Sequence, residues 1–317
     1  MRDFPKPIVI ISKCLEFDAC RYNGARLSDK FVQKLQPHVT FLPVCPEVEI
    51  GLGTPRPAIH LVREGRRIAL YQPSTGRDVT DDMNEFSSRW LSGVREVDGF
   101  ILKRKSPSCG VMSAKLRSSA DNPMTVTHKE SGLFAAEVLK RFGGKAIEDE
   151  GRLNDIQIRH HWLTRLYALA LFRESMKKPS ARKLVDFHSR NKLLLMAYSQ
   201  TKLREMGKLV AALKAAPIAD IVARYEALLE SALSRQARIK QNINVAHHAF
   251  GYFKNDLTAR EKQQFLNTVE SYREELVPLS TVLAVLRAWE ARYEKPYLTE
   301  QTFFEPYPEA LTQVPVM

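Results

Sequence analysis

The hydrophobic pattern changes period near residue 150, and that change limits the chain to a fold in two parts. Before it, short apolar runs alternate with helix-spaced stripes. Pro7-Ile8-Val9-Ile10-Ile11-Ser12 is apolar and β-branched throughout, as a strand buried on both faces must be. Residues 39–44 and Gly99-Phe100-Ile101-Leu102 repeat the pattern. Ser28 is the expected cap of a helix through Phe31, Val32 and Leu35, and residues 80–94 place Met83, Phe86, Trp90 and Leu91 on one helical stripe. Residues 59–62 and 68–71 flank Glu64-Gly65-Arg66 as a hairpin. A helix over 131–142 ends at Gly143-Gly144. Strands alternating with helices predict an α/β layer with a mostly parallel sheet.

After the change only the helical period remains. Leu163, Leu166, Tyr167, Ala170 and Leu171 form one stripe; Leu184, Phe187, Leu194, Leu195 and Tyr198 form another. Ile221, Tyr225, Leu228 and Leu229 follow Pro217, a helix-start residue. Thr258-Ala259-Arg260-Glu261 is a capping box ahead of Phe265, Val269 and Tyr272. Leu283, Leu286 and Trp289 close the series. The fold class expected is therefore an α/β domain over 1–150 followed by an all-α bundle over 151–317, joined at the polar stretch 148–154. The tail after Tyr297, with three prolines, is expected to be extended on the surface.

The formal charge is +12, with +4 in residues 1–150 and +8 in 151–317. The more basic second half suits a polyanion such as nucleic acid; the competing reading is a plain soluble protein of high isoelectric point. With 44% hydrophobic and 26% charged residues, wholesale disorder is excluded. No apolar run approaches the roughly 20 residues of a membrane span, and the N-terminus lacks a signal-peptide core. Four cysteines are too few for a disulfide scaffold. A reducing, cytoplasmic compartment is expected.

Three of those cysteines fall in a pattern. Cys14, Cys45 and Cys109 each follow a predicted strand. In an open parallel sheet the carboxyl ends of strands face one crevice, where ligands bind. Cys20 lies in a turn-like segment and is open as a ligand, a resolving thiol or a loop residue. A thiolate cluster can hold zinc or iron–sulfur. The chain has no C-x-x-C pair, which disfavours a zinc ribbon and a ferredoxin-type run but leaves a scattered cluster possible. It also lacks the C-x-x-x-C-x-x-C spacing of radical enzymes.

Five motifs in order resemble the TudS-like iron–sulfur desulfidases: Ser12-Lys13-Cys14-Leu15, Cys20-Arg21-Tyr22-Asn23-Gly24, Cys45-Pro46-Glu47, Gly51-Leu52-Gly53-Thr54-Pro55-Arg56 and Lys105-Ser106-Pro107-Ser108-Cys109-Gly110. The stretch Phe187-His188-Ser189-Arg190-Asn191-Lys192 and the residues to Tyr198 resemble the YbgA-type domain. The combination is similar to the RudS-type enzymes, which remove sulfur from 4-thiouridine in tRNA. The resemblance implies a 4Fe–4S cluster on Cys14, Cys45 and Cys109, with Glu47 and Ser106 as catalytic residues. Glu16-Phe17-Asp18 departs from the family's glycine-containing loop.

The reaction so implied is hydrolysis, with Glu47 as general acid/base and Ser106 positioning the base or relaying a proton. Arg56, between two prolines, is expected to hold a substrate phosphate. Arg190 and Lys192 are the expected RNA contacts, supported by further cations at 235–240 and 247–254. Of His247 and His248, one is expected packed and one exposed. Thiolated tRNA is the expected partner, with neither membrane nor DNA. The alternatives are a desulfidase of free thiopyrimidines or their nucleotides, and a non-catalytic RNA-binding protein with a structural metal.

Overall fold

The computed structural model describes residues 3–119 and 124–312. It divides into two compact units, Met1–Ala170 with Leu311–Met317, and Leu171–Ala310.

In the first unit the chain runs β1 (Ile8–Ser12), α1 (Lys30–Leu35), β2 (Thr40–Val44), α2 (Pro46–Glu49), β3 (His60–Glu64), β4 (Arg67–Gln72), β5 (Arg77–Asp78), α3 (Thr80–Ser92), β6 (Gly99–Leu102), β7 (Ala114–Arg117), β8 (Thr125–Glu130), α4 (Leu133–Phe142), β9 (Ala146–Asp149) and α5 (Ile156–Met176). Four strands form a parallel sheet in the order β2-β1-β6-β9. The two central strands are the most apolar: Val9, Ile10, Ile11, Phe100, Ile101 and Leu102 are fully buried. Pro43 interrupts the ladder donors of β2, which is tolerated because β2 is an edge. Asp29, not Ser28, caps α1, accepting from the amides of Phe31 and Val32 at 2.9 Å. A carboxylate one residue nearer the helix takes the orphan donors.

The expected hairpin is present as β3–β4, but it belongs to a second sheet, ordered β5-β4-β3-β7-β8. Only β3 and β7 pair in parallel there. One face of this sheet, carrying Leu61, Leu70, Ala114 and Leu116, shares a core with Met83 and Phe86 of α3 and Phe134 and Val138 of α4. Phe134 sits 6.3 Å from Phe86 and 6.0 Å from Trp90, centroid to centroid, within the range of favourable ring pairs.

The expected join at 148–154 falls on the end of β9 and the turn after it, and the first compact unit continues to Ala170. The reason is the inner stripe of α5. Trp162 donates its indole N–H to the Ala146 carbonyl at 2.9 Å, and Tyr167 its hydroxyl to the His38 carbonyl at 3.2 Å.

The second unit is helical throughout its described residues: the end of α5, then α6 (Ala181–Arg190), α7 (Lys192–Tyr198), α8 (Gln200–Ala211), α9 (Ile218–Ala232), α10 (Ile239–Gly251), α11 (Ala259–Arg273), α12 (Leu279–Tyr293) and α13 (Pro296–Thr299). Tyr225 stacks on Phe172 at 5.5 Å and receives Phe187 edge-on. The Thr258–Glu261 capping box forms. The expected extended surface tail does not form over residues 298–312, and its last residues, 313–317, lie outside the described residues. Phe303, Phe304 and Tyr307 are buried, and Gln301 bridges the break between α6 and α7. Its amide donates to the Ser189 carbonyl at 2.9 Å, while its carbonyl oxygen accepts from the Leu193 amide at 3.0 Å. The aromatic residues beside Pro306 and Pro308 supply enough apolar area to hold the segment down.

Candidate active site

The parallel sheet delivers its loops to one end. Cys14 lies two residues beyond β1, Cys45 directly follows β2 and caps α2, and the loop after β6 carries Cys109. Cys14, Cys20 and Cys109 are buried and Cys45 half-buried. Each carries a free thiol. Burial pushes the thiols of Cys14 and Cys20 up to about 12, with Cys45 adding a further rise in both cases. Cys109 is also pushed up, by burial first, and by Glu47, Cys45 and Cys14 in turn. Cys14 and Cys45 thus lie within electrostatic reach of both Cys20 and Cys109, and the four thiols form one group at this end of the sheet. Cys20 belongs to it, which its turn-like sequence context did not reveal. Cys45 Sγ donates to the Cys20 carbonyl at 3.8 Å.

Among the described residues no group of three or more His, Cys, Asp or Glu side chains is arranged to clasp a single metal ion. The donor chemistry fits a larger, thiolate-bound centre. Cluster thiolates bond to separate irons and need not converge on one point. Buried thiols that repel one another's charge gain most from a cationic centre that replaces their protons. Lys103 and Arg21 already favour the thiolate of Cys14.

Beside the thiols stands a carboxylate with its two oxygens divided. Glu47 Oε2 accepts from Arg56 Nη2 at 2.6 Å and Nε at 2.9 Å. Glu47 Oε1 accepts from Ser108 Oγ at 2.6 Å and Ser106 Oγ at 3.3 Å. The two hydroxyls are 2.9 Å apart, and Ser108 Oγ lies 3.8 Å from Cys109 Sγ. Ser106 also accepts from the amides of Ser108 and Cys109, at 3.2 and 3.1 Å, and so fixes the turn that presents the thiol. The opening of α4 grips the same loop: Leu133 N donates to Pro107 O at 3.2 Å and Ala135 N to Ser108 O at 3.0 Å.

Glu47 and Ser106, both candidate residues of the sequence, meet at 3.3 Å, and Ser108, fully buried, makes the shorter contact with Glu47. The hint was the hydroxyl pair two residues apart around Pro107. Arg56 differs from expectation. Its side chain is only 3% exposed. Besides Glu47 it donates to the carbonyls of Cys20 at 2.9 Å and Gly53 at 2.8 Å. A guanidinium committed in this way orients the carboxylate and is not held out for a substrate phosphate.

In the second unit Arg190 and Lys192 are exposed, Arg190 pairing with Asp186 at 3.0 Å. His188 Nδ1 lies 3.0 Å from the Tyr225 hydroxyl, tying that ring to the core. His247 and His248 are both exposed, contrary to the expected split, because Ala246 and Ala249 take the inner face of α10.

Residues 9–150 match a family model described as 2-thiouracil desulfurase, and residues 192–308 match one described as a protein of unknown function, DUF1722. The uncharacterised protein YbgA of Escherichia coli K12 is 32% identical over 129 residues, which cover 40% of this chain and 76% of that protein. The uncharacterised protein YbbK of Bacillus subtilis 168 is 33% identical over 156 residues, covering 47% of this chain and 99% of that one. A solved structure of TudS, a 4Fe–4S-dependent thiouracil desulfidase, aligns at 27% identity and a TM-score of 0.38, over 47% of this chain and 94% of its own.

Proposed function

Because the chain belongs to the 2-thiouracil desulfurase family through its first unit and to the DUF1722 family through its second, we propose that it hydrolyses the carbon–sulfur bond of thiolated pyrimidines, with 4-thiouridine in tRNA as the substrate. One C=S becomes C=O, water supplies the oxygen, and both its protons leave with the sulfur as hydrogen sulfide. No electron is exchanged.

The observation that carries the reading is the divided carboxylate beside the thiol pocket. Cys14, Cys45 and Cys109 would hold a 4Fe–4S cluster. An iron without a protein ligand would supply a sulfur-seeking Lewis acid. The remaining work falls to this chain's own groups. Arg56 takes one oxygen of Glu47 and leaves Oε1 facing the serines, where it can accept a proton from the attacking water. Ser108 and Ser106 form a short hydroxyl chain from that oxygen toward the half-buried side of the loop, able to pass a proton to the departing sulfur. The exposed cations of the second unit, Arg190 and Lys192 among them, would contact RNA phosphates, and the reducing cytoplasm would suit the cluster.

The test is anaerobic. Protein assayed for iron and acid-labile sulfide is offered tRNA carrying 4-thiouridine, and separately free 4-thiouridine monophosphate. Release of sulfide with uridine left in the tRNA is the expected result. Faster turnover of the free nucleotide would move the substrate to small thiopyrimidines, and a loaded protein inert to both would overturn the reading.

A further inference from the structure

The loop that leaves β1 carries Cys14 and Cys20 and stays with the thiols before it reaches α1. Arg56 holds it twice. Its backbone amide donates to the Tyr22 carbonyl at 2.8 Å, and its guanidinium to the Cys20 carbonyl at 2.9 Å. The chain then makes a tight turn, closed by Gly24 N donating to Arg21 O at 2.9 Å, with Gly24 at φ +73°, in the left-handed region. Arg21 and Tyr22 therefore stand directly beside a buried thiol. Arg21 is half-buried, and Tyr22 is 47% exposed. The Arg21 guanidinium lies over the Tyr22 ring, 5.5 Å from its centroid.

The other buried or half-buried cations on these loops are taken. Lys13 pairs with Asp18 at 2.9 Å, Arg56 with Glu47 at 2.6 Å, and Lys103 with Glu150. The remaining acids nearby are engaged elsewhere. Glu16 accepts from the Asp29 amide and from Gln33, and Glu49 acts on Lys13. Lys105 also lacks a carboxylate among the described residues, but it is exposed to water. Arg21 alone is both half-buried and without a carboxylate, and none of its guanidinium N–H groups has an acceptor among the described residues. A guanidinium stacked on a ring keeps its donors in its own plane, free to grip an anion with two parallel bonds. Its charge reaches the Cys14 thiol.

The substrate chemistry supplies a matching anion. A thiolated pyrimidine base or nucleoside is uncharged and gives such a group nothing to hold. A nucleotide carries a phosphate one sugar away from its sulfur-bearing ring. Arg56 is committed to Glu47, so Arg21 is the half-buried cation left to receive that phosphate.

Resting on the proposed desulfidase reading, we infer that Arg21, stacked on Tyr22, is the specificity residue that grips the phosphate of the thiolated nucleotide beside the thiol group. The site thereby favours a nucleotide, free or within a polynucleotide, over the same base or nucleoside without phosphate. Tyr22 acts as the surface that holds the guanidinium flat and turned to its ligand.

The experiment uses the full chain, loaded with iron and sulfide. It is offered 4-thiouridine, 4-thiouridine monophosphate and a short oligoribonucleotide with one internal 4-thiouridine. The variants are Arg21→Gln, Tyr22→Phe, Tyr22→Ala and, as a control, Arg26→Gln, an exposed cation of the same loop. Arg21→Gln is expected to raise KM for the monophosphate about tenfold or more, the usual size of a lost charge-assisted hydrogen bond. Its kcat, and its turnover of the nucleoside, stay within about twofold of wild type. Tyr22→Ala is expected to raise the same KM about threefold, and Tyr22→Phe to leave it near wild type. A loss that extends to the oligoribonucleotide marks a phosphate within the chain as the ligand; a loss confined to the monophosphate marks the free nucleotide. Equal losses on nucleoside and monophosphate, an equal loss in Arg26→Gln, or a fall in iron content in Arg21→Gln overturns the inference. Calorimetric binding of uridine monophosphate and of uridine, which carry no sulfur, is the second readout. The monophosphate is expected to bind about tenfold more tightly, and Arg21→Gln to erase the difference. If that difference is found and erased while no substrate turns over, the desulfidase reading falls and the phosphate site stands. If substrates turn over and the difference is absent, the phosphate site falls alone.

Discussion

Arg56 and Glu47 form a pair with side chains only 3% and 12% exposed, and removing one member of such a pair costs about 3–5 kcal/mol because the other is left buried and uncompensated. Arg56→Met is expected to lower stability by an amount in that range, read as a shift in the urea midpoint. Arg56→Lys should recover part of the stability and little of the turnover, because an ammonium cannot reproduce the two-pronged grip on Oε2. Ser108→Ala removes the shorter of the two hydroxyl contacts to Glu47. A hydrogen bond to a charged group contributes about 1.5–3 kcal/mol, so kcat should fall roughly 10- to 100-fold with the iron content intact. Ser106→Ala should differ in kind: it releases the amides of Ser108 and Cys109, so iron retention falls along with turnover. Equal iron loss in both variants would refute this division of labour. The sequence motif pointed to the right loop but not to this distinction, because two serines separated by one proline are equivalent until the turn is built.

At the scale of elements, α4 is the support of the Cys109 loop. A methyl group on Gly132 would lie 2.4 Å from the Ser108 carbonyl carbon and 2.8 Å from the Cys109 amide, so only glycine lets the helix start approach so closely. Gly132→Ala is expected to push the loop away, lowering turnover more than tenfold while far-ultraviolet circular dichroism stays near wild type. The helix α5 carries a different signature. Burial lowers the pKa of His160 and His161 to about 4. The unfolded chain takes up protons near pH 6.5, where the folded one does not. Stability should therefore be full above about pH 6.5 and decline as pH falls toward 4, and His160→Asn/His161→Asn should flatten that decline in a thermal-midpoint series.

Elements differed in how readable they were for the same physical reason. β1 and β6 sit mid-sheet and spell out apolar runs. β8 is an edge with no buried residue, and β9 ends in Glu148-Asp149, so neither carries the hydrophobic signature of a strand. The second sheet was hidden because half of it is written in charged residues such as Lys115 and Arg117.

For the molecule as a whole, a net charge of +12 should make the proposed tRNA binding weaken steeply with added salt. Stripping iron with a chelator is expected to abolish turnover and leave the salt-dependent binding within about threefold, as measured by filter binding. The two-part plan was legible from the change in hydrophobic period, and so was the placement of Cys14, Cys45 and Cys109 beyond three strands of the parallel sheet. The fate of the proline-containing tail was not, since Gln301 reads as polar and yet is buried where it completes the chain between α6 and α7.

The pocket takes its walls from separate crossings of one parallel sheet, and this sets an order on its assembly during synthesis. The ribosome releases Cys14 and Cys45 well before Cys109. At ~5–20 residues per second Cys109 trails Cys45 by roughly 3–13 s. An iron donor that met the growing chain in that interval would find Cys14, Cys20 and Cys45 without Cys109. A cluster that needs Cys109 could be completed only once β6 has joined β1 in the sheet.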